Sequence, residues 1–291
     1  VFERRFVTLN FEGSFVRALT VRGDTIEWWT SLEFPADVMS HGVIYEPQAV
    51  GTELATLFEK HQLPRKRVIT CVTGQRSLSR VLTLPDVRER YLEGAITRKA
   101  KQEIALPLED TDLTWRILGR QDDQLEVFVL ALPKAIIDAQ VESLQAAGLR
   151  SRVMDAKPLA LIRAVGEMQA IILNLEKHGA GVIITAEGIP ALARTLPLEA
   201  EQPHDSTSLD LLVRELARTT KFYNQSHKEN PIPDEAPVYL TGAAFAHAAA
   251  VMQVRSQVVH PVRMPDPPLK FPEGLSIPEY CVNLGLALRR R

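Results

Sequence analysis

Short runs of apolar residues broken by polar turns cover residues 6–30 (FVTLNFEGSFVRALTVRGDTIEWWT), and the same pattern returns over residues 171–195 (IILNLEKHGAGVIITAEGIPALART). Each copy opens on a run ending Leu-Asn-apolar-Glu, which is Leu9-Asn10-Phe11-Glu12 in one and Leu173-Asn174-Leu175-Glu176 in the other. A short turn follows (Gly13-Ser14; Lys177-His178-Gly179), then a second run, a two-residue turn (Gly23-Asp24; Glu187-Gly188) and a third run. Glycine beside a polar residue between β-rich runs is turn chemistry, because glycine takes positive φ without steric cost. Each copy therefore predicts a three-stranded antiparallel meander. Two copies set more than half a chain apart do not make a solenoid, whose units recur every ~20–50 residues. They predict two lobes built on one plan.

The remaining pattern fills in the lobes. Val50, Leu54, Leu57 and Phe58 lie on one face of a helix over 45–60, and 67–73 is a β-branched run that predicts a buried strand. A strand over 78–85 stops at Pro85. Asp86, with Glu89 three residues on, predicts a capped helix that runs to Pro107. Two strands (113–118, 125–132) precede a helix opened by Pro133, with Ile136, Ile137, Val141 and Leu144 on one face and Gly148 as its C′ residue; a strand at 150–154 follows. Residues 75–154 thus form a βαββαβ block inserted into the first lobe. A helix over 155–168 leads to the second meander. Beyond it come a helix capped by Ser206 or Ser208, a strand over 238–242, a small-residue helix over 243–252, and a connection with six prolines (261–278) that returns to the first lobe. A helix over 279–290 closes the chain.

Composition narrows the function classes. The 291 residues carry 34 basic and 36 acidic side chains, a net charge of −2, so no whole-molecule field favours nucleic acid; Arg289-Arg290-Arg291 forms a basic cluster at the end of the sequence. Cys71 and Cys281 sit in apolar contexts and are expected in the core, without disulfide or metal spacing, which fits a reducing, cytoplasmic compartment. The histidines show no metal-binding spacing, and His204-Asp205-Ser206, being consecutive, is discounted as a catalytic triad. No apolar run reaches the ~18 residues of a membrane span. Trp28 and Trp29 alternate faces of a strand, so one ring is expected in the core and the other is free for a contact.

The duplicated meander resembles the actin-like superfamily, an α/β, RNase H-like, two-lobed fold whose first turn in each lobe grips nucleotide phosphates. The resemblance sharpens along the chain: Arg80-x-Leu82-x-Leu84-Pro85, then Ile104-Ala105-Leu106-Pro107, Val129-Leu130-Ala131, Ala147-Gly148-Leu149, Asp155-x-x-Pro158-Leu159-Ala160-Leu161 and the closing Gly285-Leu286-Ala287-Leu288-Arg289. In order and spacing these are similar to PilM proteins of type IV pilus assembly, relatives of the division protein FtsA. The resemblance implies subdomain 1A beginning at 1–74, a 1C-type α+β insertion at 75–154, a connecting helix at 155–168, a second lobe (2A/2B) at 169–260, and a proline-rich connection with a C-terminal helix at 261–291.

The nucleotide motifs depart from the family pattern. A first turn of the form Asp-Ile-Gly-Ser-x-x-x-Lys reads here Asn10-Phe11-Glu12-Gly13-Ser14-Phe15-Val16-Arg17; in the second, Asp-Ile-Gly reads Asn174-Leu175-Glu176 ahead of Gly179; and the adenosine-side Leu-x-Gly-Gly reads Leu240-Thr241-Gly242-Ala243. Hard Mg²⁺ wants the lost carboxylates, and phosphates want bare backbone. Glu12 and Glu176 are expected to repel phosphates by about 1 kcal/mol or more per charge pair. Asn10 and Asn174 have two readings, as turn formers bonding their own backbone or as retained binding residues. The expectation is a vestigial cleft with no cofactor, in which ATP and Mg²⁺ are disfavoured, and no enzymatic activity.

By resemblance, the chain is expected to be a scaffold on the cytoplasmic face of the inner membrane. Its expected partners are the cytoplasmic N-terminal tail of a PilN-like membrane protein, held in a groove of subdomains 1A and 1C with Arg80, Leu82 and Leu84 nearby, and other pilus or secretion assembly proteins. Two alternatives stay open at this point. A working actin-like ATPase would need Asp and Gly in both turns; the cytoplasmic domain of a GspL-like type II secretion protein, or of a PilM–PilN fusion, would continue past Arg291 into an apolar segment of ~20 residues.

Overall fold

The computed structural model describes residues 5–72, 78–104, 110–198 and 205–289. The helix stop at Pro107, His204, and Arg290-Arg291 lie outside the described residues.

The first meander is β1 (Phe6–Glu12), β2 (Phe15–Arg22) and β3 (Thr25–Glu33), followed by a two-residue ribbon, β4 (Met39–Ser40) and β5 (Val43–Ile44). Next come α1 (Pro47–Lys60) and β6 (Val68–Val72), then β7 (Leu78–Pro85), α2 (Glu89–Glu103), β8 (Thr111–Gln121), β9 (Gln124–Pro133), α3 (Lys134–Ala146), β10 (Ser151–Ala156) and α4 (Lys157–Val165). The second meander is β11 (Ala170–Glu176), β12 (Gly179–Ala186) and β13 (Ile189–Pro197); after it come α5 (Ser206–Ser226), β14 (Val238–Thr241), α6 (Ala248–Gln257), β15 (Val262–Arg263) and α7 (Ile277–Ala287).

The two meanders are equivalent in pairing as well as in sequence. The first sheet has the order β10-β6-β1-β2-β3 and the second β13-β12-β11-β14-β15, with β6 and β14 parallel to the first strand of their meanders. Asn10 pairs with Arg17 and Asn174 with Gly181, at matching positions that two further pairs separate from the turn. In each lobe alternate residues face opposite ways. Val7, Leu9 and Phe11 enter the core under α1 and α3, whereas Thr8, Asn10 and Glu12 face the other lobe. Helices α4 and α7 fill the space between the sheets, where Cys71, Leu161, Ile172, Ile183, Cys281 and Leu286 form a shared core. Both cysteines are buried free thiols, as expected, and burial pushes each thiol well up from its ordinary value.

Several elements fall elsewhere than the sequence pattern predicts. The inserted sheet is three-stranded, β7-β9-β8, while α3 packs on α1 and β10 extends the first sheet beside β6, so the last part of the block at 75–154, from α3 onward, belongs to the first lobe. Asp86 does not cap α2: its backbone N–H donates to Asp123, prolonging the β7–β9 pairing past Pro85, and the helix starts at Glu89. Asp155 lies within strand β10, so α4 is shorter than 155–168. The cap of α5 is Asp205, which accepts from the Thr207 N–H, in place of Ser206 or Ser208. The helix at 243–252 is a 3-10 turn (Ala243–Ala246) and then α6, broken at His247. The proline-rich connection does return to the first lobe, where Lys270 pairs with Thr25, but it also contributes β15, and Pro278 serves as the first turn of α7. Both tryptophans are half-buried on opposite faces, Trp28 tilted against His61 with ring centroids 4.5 Å apart and Trp29 beside α7, so neither ring is free.

Candidate functional site: the cleft between the lobes and the groove beside the insertion

The two Leu-Asn-apolar-Glu turns meet across the cleft, and charge pairs fill the place where they meet. Arg17 on β2 donates two hydrogen bonds to Glu176 at the end of β11, at 3.0 and 2.9 Å, and a third at 3.2 Å to Glu279 on α7. Glu12 at the end of β1 is paired with Lys157, the first residue of α4. Arg17, Glu12 and Glu176 are between 2% and 4% exposed, so water contributes little and the forked Arg–carboxylate geometry takes its place. The carboxylates therefore do not stand as bare negative charge facing a phosphate, as the sequence suggests. Each has already taken up a cation.

Burial pushes the Glu12 carboxyl up; Lys157 pulls it back, Glu176 adds to the rise, and the net direction is upward. Burial opposes the charged Arg17, but Glu176, Glu279 and Glu12 more than offset this and hold the guanidinium protonated.

The other predicted site residues fall into the same seam. Asn174 donates to Thr241 Oγ1 (3.0 Å), which donates to the Leu173 carbonyl (3.0 Å), so Asn174 ties β11 to β14 rather than forming a turn. Asn10 lies within β1, fully buried, and its amide finds no hydrogen-bond partner among the described residues. Gly13, at φ +62, lies under the His178 ring of the opposite turn, which in turn sits 4.7 Å from His41. Ser14 is buried, and its carbonyl accepts the Phe34 N–H. Gly179 opens β12, opposite Glu176. Gly242, at φ +100, is pressed against the Leu175 backbone, and its N–H donates to Pro278 (2.7 Å); packing explains this glycine without a ligand. Lys157, Glu279 and Asn283, which donates to Thr8 and to the Arg17 carbonyl, complete the seam. No spacing rule marks these three, because they come from elements distant in sequence.

Two hollows flank the insertion. One, of about 860 Å³, lies between the insertion, α4 and the second lobe and is lined by Glu12, Arg80, Lys157, Asn174, Gly181 and Arg194 among others. The other, of about 560 Å³, runs between the insertion and the first lobe, with Phe128, Leu130, Met154 and Leu159 as apolar lining and Thr114 and Arg116 along β8. At one end of the second hollow, buried Asp155 is shared by Arg163 and by Arg289 (3.0 Å). Arg80, Leu82 and Leu84 do not reach it: β7 is the far edge of the β7-β9-β8 sheet, Leu82 and Leu84 are core beneath α2, and Arg80 lines the first hollow.

Comparison with known proteins agrees with this architecture. The cytoplasmic domain of EpsL, an inner-membrane component of the type II secretion system of Vibrio cholerae, superimposes with a TM-score of 0.55 at 12% identity over 99% of this chain and 96% of that one. A Bacteroides thetaiotaomicron protein with an actin-like ATPase fold and unknown function gives 0.56 at 12% identity, over 99% and 97%. A PilM–PilN type IV pilus biogenesis complex gives 0.76 at 20% identity, over 98% of both chains. The fold is thus the actin-like, two-lobed α/β fold. The sequence profile of the type IV pilus assembly protein PilM matches residues 20–199, more than half of the chain, and the chain belongs to that family.

Proposed function

We propose that this chain is a non-enzymatic assembly protein of the type IV pilus, whose nucleotide cleft has become an internal ion-pair lock and whose working surface is the groove beside the insertion. The observation that carries the reading is the forked Arg17–Glu176 pair across the two former phosphate turns. A nucleotide would have to displace both carboxylates from Arg17 and Lys157 before either cation could meet a phosphate. Titration calorimetry with Mg-ATP is expected to give no binding up to millimolar concentration. Asn10→Asp/Glu12→Gly/Asn174→Asp/Glu176→Gly, which frees Arg17 and Lys157 and restores the carboxylates suited to Mg²⁺, is expected to bind. Micromolar binding by the natural chain would replace this reading with a working ATPase.

The groove suits an extended peptide. It has an apolar floor, a sheet edge (β8) along one wall and charged groups at one end, features that give affinity through backbone hydrogen bonds and specificity through side-chain pockets. One matched structure is of a PilM–PilN complex, and the occupant we propose here is the cytoplasmic N-terminal tail of a PilN-like membrane protein. The molecule would then sit on the cytoplasmic face of the inner membrane through that partner; among the described residues no helix is long and apolar enough to cross a membrane itself. Thr114 is exposed on the groove wall. Thr114→Trp is expected to weaken a synthetic tail peptide of the partner at least tenfold, measured by fluorescence anisotropy, while leaving thermal stability within about 2 °C. Unchanged affinity would move the tail elsewhere.

A further inference from the structure

Net charge conceals a segregation that only the topology creates. Strands β1, β6 and β10 run parallel, so the segments leading into them converge on one end of the first lobe. Arg65, Lys66 and Arg67 immediately precede β6, and Arg150 and Arg152 bracket the start of β10. Arg65 is structural, donating to the Ala147 and Ala55 carbonyls. Lys66, Arg150 and Arg152 are exposed, and their side chains make no hydrogen bond or ion pair among the described residues. The acidic groups at this end are few and mostly taken: Glu27 is held by Arg5 and Arg22 and Asp24 by Lys270, while exposed Glu59 makes no ion pair among the described residues.

Next to these cations is a hollow of about 390 Å³, with Phe6, Ile69, Val153 and Ala287 as its apolar part and Arg67, Arg152 and Arg289 as its charged part. Arg289 also lines the peptide groove, so the groove and the basic end are continuous.

We infer that this basic end is a docking surface for an anionic lipid bilayer, on which the chain rests while it holds the tail. The inference builds on the proposed tail-binding role: a partner anchored in a membrane brings the groove within reach of lipid, and the surface adjoining the groove carries Lys66, Arg150 and Arg152 without ion pairs among the described residues. Lipid phosphates would meet Lys66, Arg150 and Arg152, and the neighbouring apolar hollow can accept part of a glycerol or acyl group. Each cation close to an anionic leaflet strengthens binding about fivefold, and salt screens the effect.

The test is sedimentation of the purified chain with sucrose-loaded vesicles of 30% phosphatidylglycerol in phosphatidylcholine, against pure phosphatidylcholine, with no tail peptide present. The natural chain is expected to partition onto the anionic vesicles and to be released by 0.5 M NaCl. Lys66→Glu/Arg150→Glu/Arg152→Glu is expected to lower the partition coefficient about a hundredfold. Lys221→Glu/Arg255→Glu/Lys228→Glu, which reverses three exposed charges of the second lobe, is expected to leave it within threefold. No preference for anionic vesicles, or equal loss in both triple variants, would overturn the inference. So would binding of soluble polyglutamate without binding of vesicles, which would mark the surface as a site for acidic protein. The tail-peptide titration is lipid-free, so failure of either idea is read separately.

Discussion

Arg17→Met is expected to lower the unfolding free energy by about 3–5 kcal/mol, because it strands Glu176 in a site 4% exposed and leaves Glu12 with Lys157 alone against two carboxylates. Removing one member of a buried pair costs far more than the pair contributes, since the abandoned charge keeps its desolvation penalty without its partner. The double variant Arg17→Met/Glu176→Leu removes both charges and is expected to recover most of the loss. Urea unfolding of the three proteins reads this directly. A single-variant cost below about 1 kcal/mol, or a double variant no better than the single, would show that the pair is not buried as described. The lock matters for function because Arg17 and Glu176 lie in different lobes, 159 positions apart. An actin-like machine that opens and closes on nucleotide would have to break this pair in every cycle; a scaffold has reason to keep it closed.

Gly285→Ala should be the next most damaging single change. Helices α4 and α7 cross between the sheets so closely that a Cβ on Gly285 would fall on the carbonyl of Ala160, well inside van der Waals contact. The obstacle is backbone on a second helix, which cannot rotate away. Overpacking of this kind costs about 1–3 kcal/mol, and the upper end is expected here. Gly94, in the exposed middle of α2, has nothing within 4 Å of its Cβ position, so Gly94→Ala should instead stabilise by about 0.5–1 kcal/mol. Both shifts can be read from thermal melts of purified protein. If the two variants melt together, the close crossing of α4 and α7 is wrong.

Much of the fold was legible because the evidence for it is local. The repeated Leu-Asn-apolar-Glu turns predicted two meanders, and both exist with matching registers. Helix faces such as Val50, Leu54, Leu57 and Phe58 are buried as their spacing requires. Boundaries failed where a neighbouring element claimed the backbone. Asp86 has the residue type and the spacing of a cap, but its N–H is taken by Asp123, so the strand outlasts the helix signal. The strand at 150–154 was rightly placed but assigned to the insertion, since a strand's own sequence does not say which sheet it will join; β6 supplied the free edge.

The sequence alone determined the residue chemistry of the cleft: Asn10, Glu12, Asn174 and Glu176 stand where the family pattern has Asp and Gly, and that reading needs no coordinates. It could not say what the two glutamates do, because the answer lies in Lys157, which reaches Glu12 from the start of α4, and in Arg17, which reaches Glu176 from the opposite lobe. Nor could it say which strand of the insertion lines the hollow beside the first lobe, since β8 does so and β7 lies on the far edge of the sheet. The basic end is a third case, assembled from segments more than 80 positions apart by strands that start on one side. Backbone patterns are set by neighbours a few residues away and can be read along the chain. Charge pairing and surface charge depend on distances through space, and those are fixed only when the sheets and helices pack.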